Sequence, residues 1–203
     1  MMKNLLLFLF IALSTVYKAQ NCSITYQYAL GDRFYIDIPD CLEMQDGEYK
    51  RMAENFQQSM GNHISSDRVV FQSIGTNGIR KTDFVRVIYN SHYFGPGELK
   101  KLGSPFTQVE MNAQSNATLQ SFKQSYGVKI LSWNKPVNVK IGKLYAMKQS
   151  YTRQMSGQPP VAASIYYIQD YDRMYEITTS YRMAEADKWK PLMSKIILSL
   201  KTQ

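Results

Sequence analysis

Few of the side chains from which catalytic or metal sites are built are present: the 203 residues include two His and two Cys. His63 and His92 stand far apart, with neither His-x-x-x-His nor His-Glu-x-x-His, so the expected zinc spacing is missing and no metal site is predicted. Ser132-Trp133-Asn134-Lys135 matches Ser-x-x-Lys, but that chemistry needs the Ser at a helix start with the Lys one turn on. Pro136 directly afterwards argues for extended or turn backbone instead. Asp170-Tyr171-Asp172 reads as a hairpin turn, where Asp forms local hydrogen bonds, and calcium would need more oxygen ligands than this turn offers. Asp37 and Asp40 have the types of an acid–base pair, yet Pro39 between them marks a solvent-facing strand end. No Gly-x-Ser-x-Gly, P-loop or dinucleotide fingerprint occurs. Local motifs therefore predict no catalytic residue and no cofactor.

Both cysteines lie early in the chain, at Cys22 and Cys41. The runs from Ser23 to Ala29 and from Arg33 to Ile38 read as strands. A two-residue loop with Gly31 first would suit a type II′ hairpin, and that register sets Cys22 opposite Cys41. Pro39 cannot donate to a ladder, so regular pairing is expected to stop before the cysteines. A structural disulfide is the expectation; two free thiols and a redox role are the alternatives, the last disfavoured because the spacing is unlike Cys-x-x-Cys.

Fifteen Tyr residues stand out. Tyr145, Tyr151, Tyr166, Tyr167, Tyr171, Tyr175 and Tyr181 concentrate in the C-terminal strands. Strand alternation sends Tyr175, Ile177, Thr179 and Tyr181 to one face, and on the neighbouring strand it separates Ile165 and Tyr167 from Tyr166 and Ile168. A sheet covered on both sides explains this pattern. A sheet with one open face would instead make Tyr145, Tyr151, Tyr166, Tyr167, Tyr175 and Tyr181 a partner-binding surface, since Tyr combines a flat apolar body with a hydroxyl.

The elements that position these residues follow from the hydrophobic pattern. Lys3, the apolar run Leu5 to Leu13 and the more polar Ser14 to Gln20 read as a secretory signal peptide. As a helix the run spans about half of a roughly 30 Å hydrocarbon core, so it is not read as an anchor. Cleavage near Ala19 to Gln20 would leave residues 21–203 as a single exported domain, periplasmic or extracellular. A lipid anchor on Cys22 would need Leu three residues earlier, where Ala19 stands. Loss of Lys3 and Lys18 with no acid lowers the net charge from +8 to +6. That charge suits solubility, and no Lys/Arg cluster interleaved with aromatics points to nucleic acid. Asp46 caps a predicted amphipathic helix ending at Gly61, and Thr107-x-x-Glu110 opens a second, with Phe106 and Met111 placed as a hydrophobic staple. Val69 to Ile74, Phe84 to Tyr93, Val128 to Trp133, Val137 to Arg153 with a bend at Gly142, Val161 to Gln169 and Met174 to Arg182 read as strands. A last helix from Lys188 to Leu200 carries a broad apolar stripe, with Pro191 in its first turn. Short connections between strands predict antiparallel pairing and an α+β fold.

Phe34-Tyr35-Ile36-Asp37-Ile38-Pro39 after a short strand, the central Phe84-Val85-Arg86-Val87-Ile88, and the ending Tyr175-Glu176-Ile177-Thr178 to Ile196-Ile197-Leu198-Ser199-Leu200 resemble the PsbP-like domains. Relatives of that type include the extrinsic photosystem II subunit, the Mog import factor and small exported bacterial proteins. The resemblance covers most of residues 23–201. It implies an antiparallel sheet flanked by helices in an α/β/α sandwich. It also implies a protein that binds a macromolecular partner or hydrophobic segment and performs no chemistry. The expected function is an exported accessory protein holding a protein or peptide on a sheet face or helix edge. The competing reading is a hydrolase whose Asp, Glu, Ser and Tyr residues converge only in three dimensions.

Overall fold

A computed structural model describes residues 22, 24–45, 51, 55, 67–73, 85–125 and 127–203. The leader, His63 and Tyr126 lie outside these residues, as does the helix predicted from Asp46 to Gly61 except for Arg51 and Asn55, both helical. Among the described residues no helix is long and apolar enough to cross a membrane.

The chain runs β1 (Thr25–Leu30), β2 (Phe34–Pro39), β3 (Leu42–Met44), β4 (Val69–Ser73), β5 (Val85–Tyr93), α1 (Gln108–Gln124), β6 (Val128–Trp133), β7 (Val137–Ile141), β8 (Leu144–Met155), β9 (Val161–Asp170), β10 (Arg173–Arg182), a short 3-10 turn, α2 (Ala186–Leu198) and β11 (Lys201–Thr202). Every strand pair is antiparallel. The main sheet has the order β3-β4-β5-β10-β9-β8-β6, with β7 also on β8, and a smaller sheet has the order β1-β2-β11. The predicted α+β class is therefore what the chain adopts.

Alternation in β9 and β10 builds two cores. Tyr166, Ile168, Tyr175 and Ile177 turn to one face, where they meet Phe34, Ile36 and Ile38 of the small sheet and Trp189, Met193, Ile196 and Ile197 of α2. Ile165, Tyr167 and Met174 turn to the other face, with Met147 and Tyr151 of β8, and pack with Phe106 and Met111 at the start of α1. Thr107 caps α1 in a full capping box with Glu110, and both staple residues are buried in that second core. The polar seam under α1 is also satisfied: Ser115 Oγ donates to Gln149 Oε1 (2.8 Å) and accepts from Trp133 Nε1 (2.9 Å), and Thr118 Oγ1 lies 2.8 Å from the Tyr167 hydroxyl.

Three details differ from the sequence reading. The β1–β2 hairpin pairs Leu30 with Phe34 and Thr25 with Pro39 around a three-residue loop, one residue out from the two-residue turn expected. Burial decides this: opposed residues share a face, and Tyr28 and Leu30 must join Phe34, Ile36 and Ile38 in the core. The stretch from Val137 to Arg153 does not bend at Gly142 but reverses there. Ile141 pairs with Leu144, and Gly142 takes a φ of 59° that suits a tight hairpin. Finally, α2 begins at Ala186, so Pro191 lies beyond the first turn and leaves the carbonyl of exposed Asp187 without an intrahelical donor.

Candidate functional site

The predicted site residues fall into separate places. Cys22 and Cys41 form a disulfide with a Cα–Cα distance of 5.1 Å at the open end of the β1–β2 hairpin. Regular pairing ends at Pro39, and one further backbone bond, Asp40 N–H to the Ile24 carbonyl (2.8 Å), bridges the ladder to the cystine. The six tyrosines share no open face. Tyr151, Tyr166, Tyr167 and Tyr175 are buried, Tyr181 packs beside the first core, and only Tyr145 reaches the surface, with Lys140 Nζ 6.0 Å from its ring centroid. Burial pushes the Tyr151 hydroxyl up to about 12 and Tyr167 higher still, so both stay neutral in the core, Tyr167 within hydrogen-bond distance of Thr118 Oγ1. At these positions the covered-sheet alternative describes the molecule.

Titratable groups converge at two places. On the face that carries α1, the Glu176 side chain is 22 % accessible and lies 3.9 Å from His92 Nε2, with Thr178 Oγ1 donating to it at 3.2 Å. Desolvation raises the Glu176 carboxyl above its ordinary range, against the opposing pull of His92, Thr178, Asn90 and Arg68. At the end of the β9 strand, buried Asp170 receives Arg33 from the β1–β2 loop at 3.3 Å, tying the small sheet to the main one. The Asp40, Asp37 and Ser132 side chains join neither place. Among the described residues no group of three or more His, Cys, Asp or Glu is arranged to hold a metal ion.

Asp170-Tyr171-Asp172 forms the hairpin turn that the sequence predicts, but the exposed aromatic residues at this tip of the main sheet were not singled out there. Asp170 pairs with Arg173, leaving Tyr171 and Asp172 as a two-residue loop. Tyr171 is the one described non-Gly residue with positive φ, at 39°. Two-residue hairpin loops of the I′ and II′ types both require positive φ at that first position, ordinarily supplied by Gly, Asn or Asp. A bulky residue there costs roughly 1–3 kcal/mol. Yet the Tyr171 ring is 54 % exposed, so packing offsets only part of that cost.

The backbone fixes what surrounds it. Tyr93 pairs with Arg173, and Phe94 N–H donates to the Asp172 carbonyl at 2.7 Å. Leu99 N–H donates to the Tyr171 carbonyl, and Tyr171 N–H to the Lys100 carbonyl, each at 2.8 Å. The loop after β5 thus wraps the turn, and Tyr93 at the end of β5 (64 % exposed) and Phe94 (54 %) lie at the same end of the sheet. The same loop is anchored below by Gln169, which donates to the Ser104 carbonyl, and by Lys100, whose ammonium bonds Glu110 at 2.7 Å and holds that carboxyl below its ordinary range together with the Thr107 N–H. Gly103 belongs to this anchor, since a Cβ there would stand 2.5 Å from Leu144 Cδ2. An aromatic surface held rigidly from below suits recognition by contact. The sequence signal for it was a Tyr between two Asp where a turn calls for Gly.

No family model matches the chain, and no curated protein matches it in sequence. In three dimensions the chain is similar to the solution structure of cyanobacterial PsbP (CyanoP) from Synechocystis, with a TM-score of 0.54 at 13 % identity over 88 % of this chain and 92 % of that one. A crystal structure from Bacteroides thetaiotaomicron is also similar, with a TM-score of 0.42 at 12 % identity over 86 % of this chain and 49 % of the other. The fold is PsbP-like, as the strand-Pro pattern and the order of elements suggested.

Proposed function

We propose that this is an exported, non-enzymatic accessory protein whose domain, residues 21–203, holds a protein or peptide partner at the aromatic tip formed by Tyr93, Phe94 and Tyr171. The observation that carries the reading is Tyr171: an exposed aromatic ring kept at a backbone angle that favours Gly. Strained backbone of this kind clusters at binding and active sites. Three exposed aromatic residues at one end of the sheet supply the low-entropy anchors that concentrate binding energy at interfaces. Export is supported by the apolar leader and by the Cys22–Cys41 disulfide, a bond that persists in oxidising compartments.

Site-specific photo-crosslinking in producing cells tests the proposal. A benzophenone side chain at Phe94 should give a discrete adduct in the exported fraction, and one at Val109, more exposed but on α1, should not. Tyr171→Gly should abolish the Phe94 adduct while the protein stays folded. Equal labelling from both positions, or an adduct insensitive to Tyr171→Gly, would refute the tip as the binding surface.

A further inference from the structure

Among the described residues, one edge of the small sheet is unpaired. The Asp40–Ile24 bond sets the phase of the β1–β2 ladder, so the N–H and C=O groups of Tyr26, Tyr28 and Leu30 point to β2. The other side of β2 agrees: Asp37 N–H donates to Ser199 Oγ and the Arg33 carbonyl accepts from Gln203, both away from β1. Thr25, Gln27 and Ala29 consequently aim their backbone groups outward along an edge that no described strand pairs, and all three residues are exposed. The side chains on the core-facing side are unfinished in the same way. Leu30 is buried and Tyr28 packs on Phe71 at 4.8 Å between ring centroids, but Tyr26 and Ile24, continuing that row, are 54 % and 55 % exposed.

Edges of this kind are normally guarded by Lys, Pro or a bulge. The far edge of the main sheet follows that rule, with Lys129 and a register shift after Ile130 in β6, and with Pro136 and Lys140 at β7. From Ile24 to Leu30 there is no charge, no Pro and no Gly. A strand without charge is also one that can lie against its own copy, because a two-fold axis sets identical residues near each other and like charges would oppose it.

We infer that two copies of this chain join edge to edge through β1, antiparallel about a two-fold axis at Gln27, making one continuous sheet from the two three-stranded ones. In that register Gln27 faces its counterpart, Thr25 faces Ala29, and Tyr26 faces Tyr28. The outward groups form about six new hydrogen bonds, and the exposed Ile24 and Tyr26 side chains are covered by the partner's row. The disulfide at Cys22 holds the strand extended beforehand, so little ordering remains to be done on association. A single strand pairing buries less than a standard interface, so the dimer is a weak one, with a Kd on the order of 10 μM.

Sedimentation velocity of the exported protein between about 1 and 200 μM tests this. The expected result is a monomer–dimer equilibrium across that range. Gln27→Pro removes an outward N–H and leaves the β1–β2 ladder intact, and it should weaken dimerisation about 100-fold. Gln27→Lys and Gln27→Glu should each be monomeric alone and associate when mixed, since only at a two-fold does residue 27 meet itself. Unchanged thermal midpoints and an intact cystine show that each variant is folded. A protein monomeric at 200 μM, a dimer that survives Gln27→Pro, or charged variants that do not associate when mixed would each overturn the inference.

Discussion

Removing the cystine with Cys22→Ala and Cys41→Ala together tests how far β1 depends on it. The bridge spans a sequence separation of 19, and closing a loop of that size removes unfolded-state entropy equivalent to about 3 kcal/mol. With a urea m-value of about 2–3 kcal/mol/M, the denaturation midpoint should fall by roughly 1–1.5 M. The thermal midpoint should fall by about 6–12 °C. Because β2 is the one described strand within the chain that pairs with β1, amide exchange at Tyr26 and Tyr28, whose N–H groups face that partner, should accelerate along with the global loss. A double variant within about 0.5 kcal/mol of the parent would refute the entropic argument. Fast exchange in β1 with an unchanged midpoint would refute the view that the small sheet unfolds together with the main one.

Two further perturbations probe the sheet face under α1. Glu176 has its pKa raised by burial, so its deprotonated form costs the folded state stability once pH rises through the folded value, and the cost vanishes below the unfolded value. Glu176→Gln should therefore raise the thermal midpoint at pH 7 to 8 and leave it unchanged near pH 3; a variant equally or more stabilised at pH 3 would contradict the assignment. Ser115→Ala removes a hydroxyl that serves both Gln149 and Trp133, stranding a buried acceptor and a buried donor, and should cost about 2–4 kcal/mol in urea denaturation. A loss below about 0.5 kcal/mol would mean those two groups find other partners.

Much of this fold is legible because its signals are local. The Thr107–Glu110 capping box and the alternating runs of β9 and β10 each specify a shape within a few residues. The errors came where a distant contact decides. The β1–β2 register is chosen by which residues reach the shared core with α2, and the hairpin at Gly142 was hidden because strand-forming residues run up to the Gly142-Lys143 turn from both sides. Strands β3 and β11 are too short to carry a period, and exist because β4 and β2 offer them an edge.

The tyrosines show why the site was harder to read than the fold. Strand propensity and burial account for Tyr151, Tyr166, Tyr167 and Tyr175 completely, and once both faces of β9 are packed, those rings have nothing left to offer a partner. Exposed aromatic surface is then found where the sheet ends rather than where it is broad. Two such places keep exposed aromatic surface against local preference: the β9–β10 turn, where Tyr171 replaces the Gly that the angle favours, and the rim of β1, where Tyr26 is left outside the core its neighbours complete. Neither departs from the alternation of its strand, so periodicity alone could not mark them. What marks them is a conflict between a residue and its backbone or its edge, and that conflict appears only once the pairing partners are known.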